Sequence, residues 1–385
     1  MAGKNPREAG RKKQIGAVLI GVISTIFILA GIAVILINFT DLGQSVAGEW
    51  NPFASKTPTS TSTATSTRIP TITSTSTLTE TPTITLSPTP ARPSLTLTGH
   101  SGEVFSLVFS PNGKMLASAA ADDSIILWDL ASREPVHTLE LDTWEEFYTN
   151  MAFSPNGRTL VSSTPGRYFD DSITVWWVET GRALLTLVSP PGVVAFSPDG
   201  ATLAVGGACG MITLYSTDNW TQTRDLNLCG TQDFVAITTS TVFSPDGRMI
   251  AVGYDGGAIV QWNLETNKYR TLTGNGYTVA FWPDRNTLAS ASNDGTINLW
   301  DAEGEWLRTL TSNIEDVTCV AYPPEGTIVA SASGNVIILW DAATGDWLYT
   351  LDVPGGVTSL AFSPDGNILA SGSGDGAVIL WDVTP

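Results

Sequence analysis

From Phe109 onward the chain repeats one pattern of polar and apolar positions seven times. FSPNGKMLASAAADDSIILWD, starting at Phe109, returns as FSPNGRTLVSS, FSPDGATLAVGG, FSPDGRMIAVG, FWPDRNTLASASNDGTINLWD, YPPEGTIVASASGNVIILWD and FSPDGNILASGSGDGAVILWD. The leading aromatics are Phe109, Phe153, Phe196, Phe243, Phe281, Tyr322 and Phe362, spaced 44, 43, 47, 38, 41 and 40 residues apart. In the Ser-Pro-Asp-Gly type of turn that opens most copies, Pro stands second and Gly fourth of four residues. A fixed φ and a permissive φ are wanted at those positions, so the tetrapeptide predicts a tight hairpin between the first two strands. Asp-Gly pairs such as Asp294-Gly295 and Asp375-Gly376 predict the next hairpin turn. Runs such as Ser124-Ile125-Ile126-Leu127-Trp128 have no polar face, and predict inner strands buried on both sides.

Seven repeats at this period predict an all-β, seven-bladed β-propeller of four-stranded blades. The spacing and the recurring Trp-Asp ending resemble the WD-repeat propeller family over residues 94–385. The last repeat stops at Val383-Thr384-Pro385, after its third strand, while Leu95-Thr96-Leu97-Thr98 precedes the first repeat without a blade of its own. The N-terminal strand is therefore expected to complete the seventh blade, which removes exposed sheet edges. The resemblance also implies a structural hydrogen-bonded chain of His100, Ser118, Asp122 and Trp128, each satisfying the next. Other repeats depart from it. Trp144 and Asn313 stand at the His position of blades two and six, Trp177 replaces the Asp after Trp176, and Tyr215 replaces the Trp of blade three. The complete chain is expected in blade one alone, with packing of Ile, Leu, Val and Trp between blades stabilising the rest.

Upstream the pattern changes. Residues 15–37, Ile15 to Ile37, contain no charge, which is long enough for a transmembrane helix. Residues 1–14 carry Lys4, Arg7, Arg11, Lys12 and Lys13 against Glu8, whereas Asp41 and Glu49 lie in the juxtamembrane segment 38–54. This bias predicts a cytoplasmic N-terminus and an extracytoplasmic propeller at the cell membrane. A cleaved signal peptide ending at Ser45-Val46-Ala47 competes with the anchor, although its apolar core ordinarily runs about 7 to 15 residues. In residues 55–93, 28 of 39 are Ser, Thr or Pro and none is aromatic, so this segment is expected to be a disordered stalk with a reach of at most about 120 Å. The composition permits O-glycosylation, but a plain spacer is the favoured reading.

Charge and chemistry narrow the functions. Residues 94–385 hold 33 acidic and 11 basic residues, a net charge of −22 with His neutral. Nucleic acid, which needs clustered Lys and Arg, is excluded as an expected partner; basic proteins, cationic ligands or divalent ions are favoured, and solubility alone also explains the charge. No phosphate loop, nucleophile elbow, zinc motif or dinucleotide fingerprint occurs, and there are two histidines in all. No catalytic residue, metal site or cofactor is therefore assigned. Of the three cysteines, Cys209 and Cys229 fall near neighbouring loops of one face. They are a possible disulfide closing a loop of about 20 residues, worth roughly 3 kcal/mol. Cys319 reads as a small buried hydrophobe.

Irregularity in the repeat points to a binding face, because insertions map to loops. The turn Thr164-Pro165-Gly166-Arg167-Tyr168-Phe169-Asp170-Asp171 and the connection from Gly230 to Phe234 and beyond are both stretched. With their neighbours they suggest an interaction patch of Trp144, Arg167, Tyr168, Phe169, Phe234 and Tyr254, an aromatic and Arg composition suited to an interface. Local packing competes with this reading for Trp144 and Phe234. The sequence thus predicts a membrane-anchored scaffold that presents a propeller face to a protein partner. The alternative is an extracytoplasmic sensor of a ligand or ion, or an enzyme, using the propeller channel.

Overall fold

The computed structural model describes residues 93–383, apart from 142–148, 165–171, 189–191, 208–209, 229–236, 273–275, 282–286, 293, 312–316 and 325–327. These residues form seven four-stranded antiparallel sheets. Blade one shows how each is made. Its strands β2 (Val104–Phe109), β3 (Met115–Ala120), β4 (Ser124–Asp129) and β5 (Glu134–Glu140) pair in chain order. β4 is buried along its middle four residues on both faces, whereas β5 keeps only Leu139 inside. Burial therefore drops at the outermost strand of the blade.

The SPDG-type turns are built alike. The amide of Gly113 donates to the Ser110 carbonyl at 2.9 Å, and the same bond recurs from Gly157, Gly200, Gly247 and Gly366 at 2.8 to 2.9 Å. Each of these glycines has φ between 68° and 73°, where a Cβ is penalised. The Ser hydroxyl donates to the third residue's side chain, as Ser197 does to Asp199 at 2.6 Å and Ser244 to Asp246 at 2.6 Å. That bond and an amide from two residues on hold both carboxylates below their ordinary pKa.

Closure occurs where the two ends of the described chain meet. β1 (Pro93–Leu97) pairs antiparallel with β28 (Val378–Asp382), which pairs with β27 (Ile368–Ser373), and β27 with β26 (Val357–Phe362). The seventh blade is thus completed by the N-terminal strand, which begins at Pro93, one residue before the expected boundary. β2 packs against β26, so the first blade follows the last.

Seven apolar cores lie between the blades. In blade one, Ile126 and Trp128 face blade seven, packing with Leu97, Val378 and Leu380, while Ile125 and Leu127 face blade two with Leu160 and Trp176. Each later interface repeats this use of alternate residues. Burying a Leu or Ile contributes about 1.5–3 kcal/mol, so no blade is stable on the packing of its own two faces alone.

Polar staples reinforce the same interfaces. At one position of the outer strand, His137 Nε2 bonds the Glu179 carbonyl of the next blade at 3.1 Å. Arg224 donates to the Leu264 carbonyl at 3.0 Å, Arg270 to Ala302 at 2.8 Å and Arg308 to Ala343 at 2.8 Å. Each joins the outer strand of one blade to the turn before the outer strand of the next.

Candidate functional site

The segment leading into β2 and the turn between β3 and β4 in blade one carry the richest side-chain chemistry among the described residues. His100 Nδ1 lies 3.0 Å from Asp122 Oδ2, and its Nε2 lies 2.7 Å from Ser118 Oγ. Trp128 Nε1 donates to Ser118 Oγ at 2.8 Å. Asp122 is an acceptor only and the indole a donor only, so one ordering satisfies every atom. Trp128 donates to Ser118, Ser118 donates to His100 Nε2, and His100 Nδ1 donates to Asp122. Gly99 is required beside it, since a Cβ there would stand 2.8 Å from the Trp128 ring. Burial acts to raise the pKa of Asp122, but the Ser124 hydroxyl, the Ser101 amide and His100 outweigh it and hold the carboxyl below its ordinary 3.8.

Serine, histidine and aspartate in this order have the spacing of a nucleophilic triad, yet the arrangement cannot act as one. Ser118 is 0% exposed, the His100 side chain is also fully buried, and the serine oxygen already accepts the indole proton. A nucleophile must reach a substrate carbonyl and an oxyanion site beside it. The Trp-to-Ser bond also recurs without histidine, from Trp176 to Ser162, Trp300 to Ser290, Trp340 to Ser331 and Trp381 to Ser371, at 2.9 to 3.0 Å. Half of the network is therefore common to five blades, a feature that comparison of complete copies does not reveal. The signal was present as a serine nine to fourteen residues before each tryptophan.

The other sequence-derived sites fare differently. Tyr254 does not belong to an exposed patch: it ends strand β15 (Met249–Tyr254) fully buried, in the core with Leu226, Leu228 and Val252. Its hydroxyl lies 3.5 Å from the Gly210 carbonyl, and burial pushes its pKa up. Strand alternation turned the side chain inward where a turn position had been expected to turn it out. Trp144, Arg167, Tyr168, Phe169 and Phe234 lie outside the described residues, as do Cys209, Cys229 and the Ile15 to Ile37 segment. Cys319 is a free, half-buried thiol at the start of β22 (Cys319–Ala321), with a pKa raised by burial to about 11.

Among the described residues, no group of three or more His, Cys, Asp or Glu is placed to hold a metal ion. An open cleft of about 370 Å³ lies between the turns of blades three and four, lined by Ser197, Pro198, Asp199, Phe243 and Asp246 among others. Its carboxylates are already engaged by the turn serines.

Four segments, residues 91–129, 267–301, 304–341 and 345–382, match the family model described as WD domain, G-beta repeat. These segments are WD40 repeats, each holding the outer strand of one blade and the first three strands of the next. Blades two and three, with Trp177 and Tyr215, fall outside them. The chain is 34% identical over 174 residues to an uncharacterized WD repeat-containing protein of Synechocystis, covering 43% of this chain and 46% of that one. It is 29% identical over 188 residues to eukaryotic translation initiation factor 3 subunit I of Lodderomyces elongisporus, covering 45% and 52%. Small ribosomal subunit protein RACK1 of Brassica napus is 33% identical over 169 residues, covering 44% and 42%. The chain thus spans about half the length of the curated relatives it matches.

Proposed function

We propose that this chain is a non-catalytic, membrane-anchored scaffold that holds a WD-repeat propeller outside the cytoplasm and captures a protein partner on its loop-bearing face. The observation that carries the reading is the buried state of the His100, Ser118, Asp122 and Trp128 network: the chemistry most like catalysis is consumed inside a blade. What remains available is surface. Two named relatives, a translation initiation factor subunit and a small ribosomal subunit protein, are components of assemblies, which supports an interaction role here. Residues 15–37, the basic flank before them and the Ser/Thr/Pro stalk support the anchor and the outward placement.

The partner is a protein rather than a nucleic acid, given 33 acidic against 11 basic residues beyond the stalk. Arg167, Tyr168 and Phe169 in the stretched loop of blade two are the proposed contact residues, together with Trp144 and Phe234. Affinity capture from detergent-solubilised membranes tests this, with the full chain and its Arg167→Ala, Tyr168→Ala, Phe169→Ala triple variant as baits. A protein retained by the first and lost by the second, at unchanged melting temperature, is the expected result; equal retention by both removes the loop from the contact surface.

A further inference from the structure

One position of the outer strands separates two blades from the rest. The residue paired across from each blade's third-strand aromatic is Pro135, Ala183, Gln222, Tyr269, Trp306 and Trp347 in blades one to six. Trp306 begins β21 (Trp306–Thr311) and Trp347 begins β25 (Trp347–Asp352), in neighbouring blades, and each is 58% exposed. Tryptophan is seldom left so open to water, because its large apolar surface contributes most when buried. The local sequence matches in both but for Glu against Asp: Gly304-Glu305-Trp306-Leu307 and Gly345-Asp346-Trp347-Leu348.

The ring of Trp306 is held in place. Its Nε1 donates to Thr309 Oγ1 at 3.1 Å, and Thr309 Oγ1 donates to Asn298 Oδ1 at 2.6 Å. Glu303, Glu305 and Asp346, which precede the two tryptophans in sequence, are exposed. Arg308, the nearby cation, is turned to the Ala343 carbonyl and lies close to Asp341. Blade four differs, since Tyr269 stacks on Trp262 with centroids 4.9 Å apart and is flanked by Lys268 and Arg270.

We propose that the exposed Trp306 and Trp347, with the exposed carboxylates Glu305 and Asp346 next to them in sequence, form a second contact surface on the outer strands of blades five and six that binds an Arg- or Lys-rich segment of a partner protein. A cation over an indole face is attracted by the ring quadrupole, and an adjacent carboxylate adds direct charge pairing. Two such pairs on adjacent blades favour an extended basic segment over a single cation. The net charge of −22 beyond the stalk draws basic partners to the same molecule. The inference rests on the reading of the propeller as a protein-binding platform and assigns it a partner chemistry.

The probe is a fluorescein-labelled hexa-arginine peptide, titrated by anisotropy against the detergent-solubilised full chain. The Trp306→Ala, Trp347→Ala double variant should bind about tenfold more weakly, with its melting temperature held, because both side chains are exposed. Glu305→Gln with Asp346→Asn should weaken binding as well. Glu134→Gln with Glu140→Gln removes the same charge from the outer strand of blade one and should change affinity less than about twofold. Equal weakening by both charge pairs, with no effect of the tryptophan substitutions, overturns the site in favour of general electrostatic attraction. Binding of neutral cellohexaose to the tryptophans, without hexa-arginine binding, overturns it in favour of a glycan. Either failure leaves membrane-protein capture by the loop face standing, and loss of that capture leaves the peptide result intact, so the two readings fail separately.

Discussion

Gln261 stands in blade four where Leu127, Val175, Leu214, Leu299, Leu339 and Leu380 stand in the other blades. It is 1% exposed, and both its side-chain polar atoms lack a hydrogen-bond partner among the described residues. A buried amide without partners costs about 1–3 kcal/mol, and leucine has nearly the same volume. Gln261→Leu should therefore raise unfolding free energy by about 1–2 kcal/mol, read as a higher denaturant midpoint at unchanged slope; a lower midpoint would mean the amide has a partner after all. Asp122 gives the opposite kind of case, a polar group fully engaged. Its folded pKa lies below the ordinary 3.8, so its contribution is present above that value and lost as pH falls through the folded pKa. Asp199, Asp246 and Asp365 are lowered in the same direction by their turn serines and backbone amides. Stability should decline below about pH 4, and Asp122→Asn should flatten part of that decline; parallel curves for variant and wild type would contradict this assignment.

At the scale of elements, the staples between blades are separable from the apolar cores. Arg308 joins blade five to the turn of blade six through one bond to a backbone carbonyl. Arg308→Leu keeps much of the aliphatic stem and removes the donor, so it should cost about 1 kcal/mol and speed amide exchange along β21 and β25. Exchange faster only at chain ends would show that the bond carries no load between blades. The staples were not legible in the sequence, because arginines on a strand that is otherwise exposed look like ordinary solvated charge. The hairpin turns were legible, since Pro fixes φ and Gly permits a positive φ locally, with no knowledge of the neighbouring blade needed. Tyr254 marks the boundary between the two cases: its place in the repeat could be read, but the direction of its side chain depends on strand register one residue finer than the repeat. The complete network of blade one could be anticipated through the family resemblance that His100 completes, whereas the shared Trp-to-Ser bonds needed the strands to be paired.

At the scale of the molecule, closure decides how the propeller behaves. β1 leaves β28 with no free edge, and β2 packs against β26, so the ring is held by strand pairing as well as by the core between blades seven and one. A ring closed in this way should resist proteolysis, and on the proposed reading of the Ser/Thr/Pro segment as a stalk that segment should be cut. Trypsin treatment of intact cells expressing the full chain is the most direct test of an autonomous propeller carried outside on a tether. Between Ile37 and Pro93 trypsin has two favoured sites, after Lys56 and Arg68, because Arg92 is followed by Pro93. The expected result is release from unbroken cells of a fragment beginning at Thr57 or Ile69 that still unfolds in one cooperative transition. A chain that is cut only after the cells are lysed would contradict the outward placement, and one cut within its blades would contradict the closed ring.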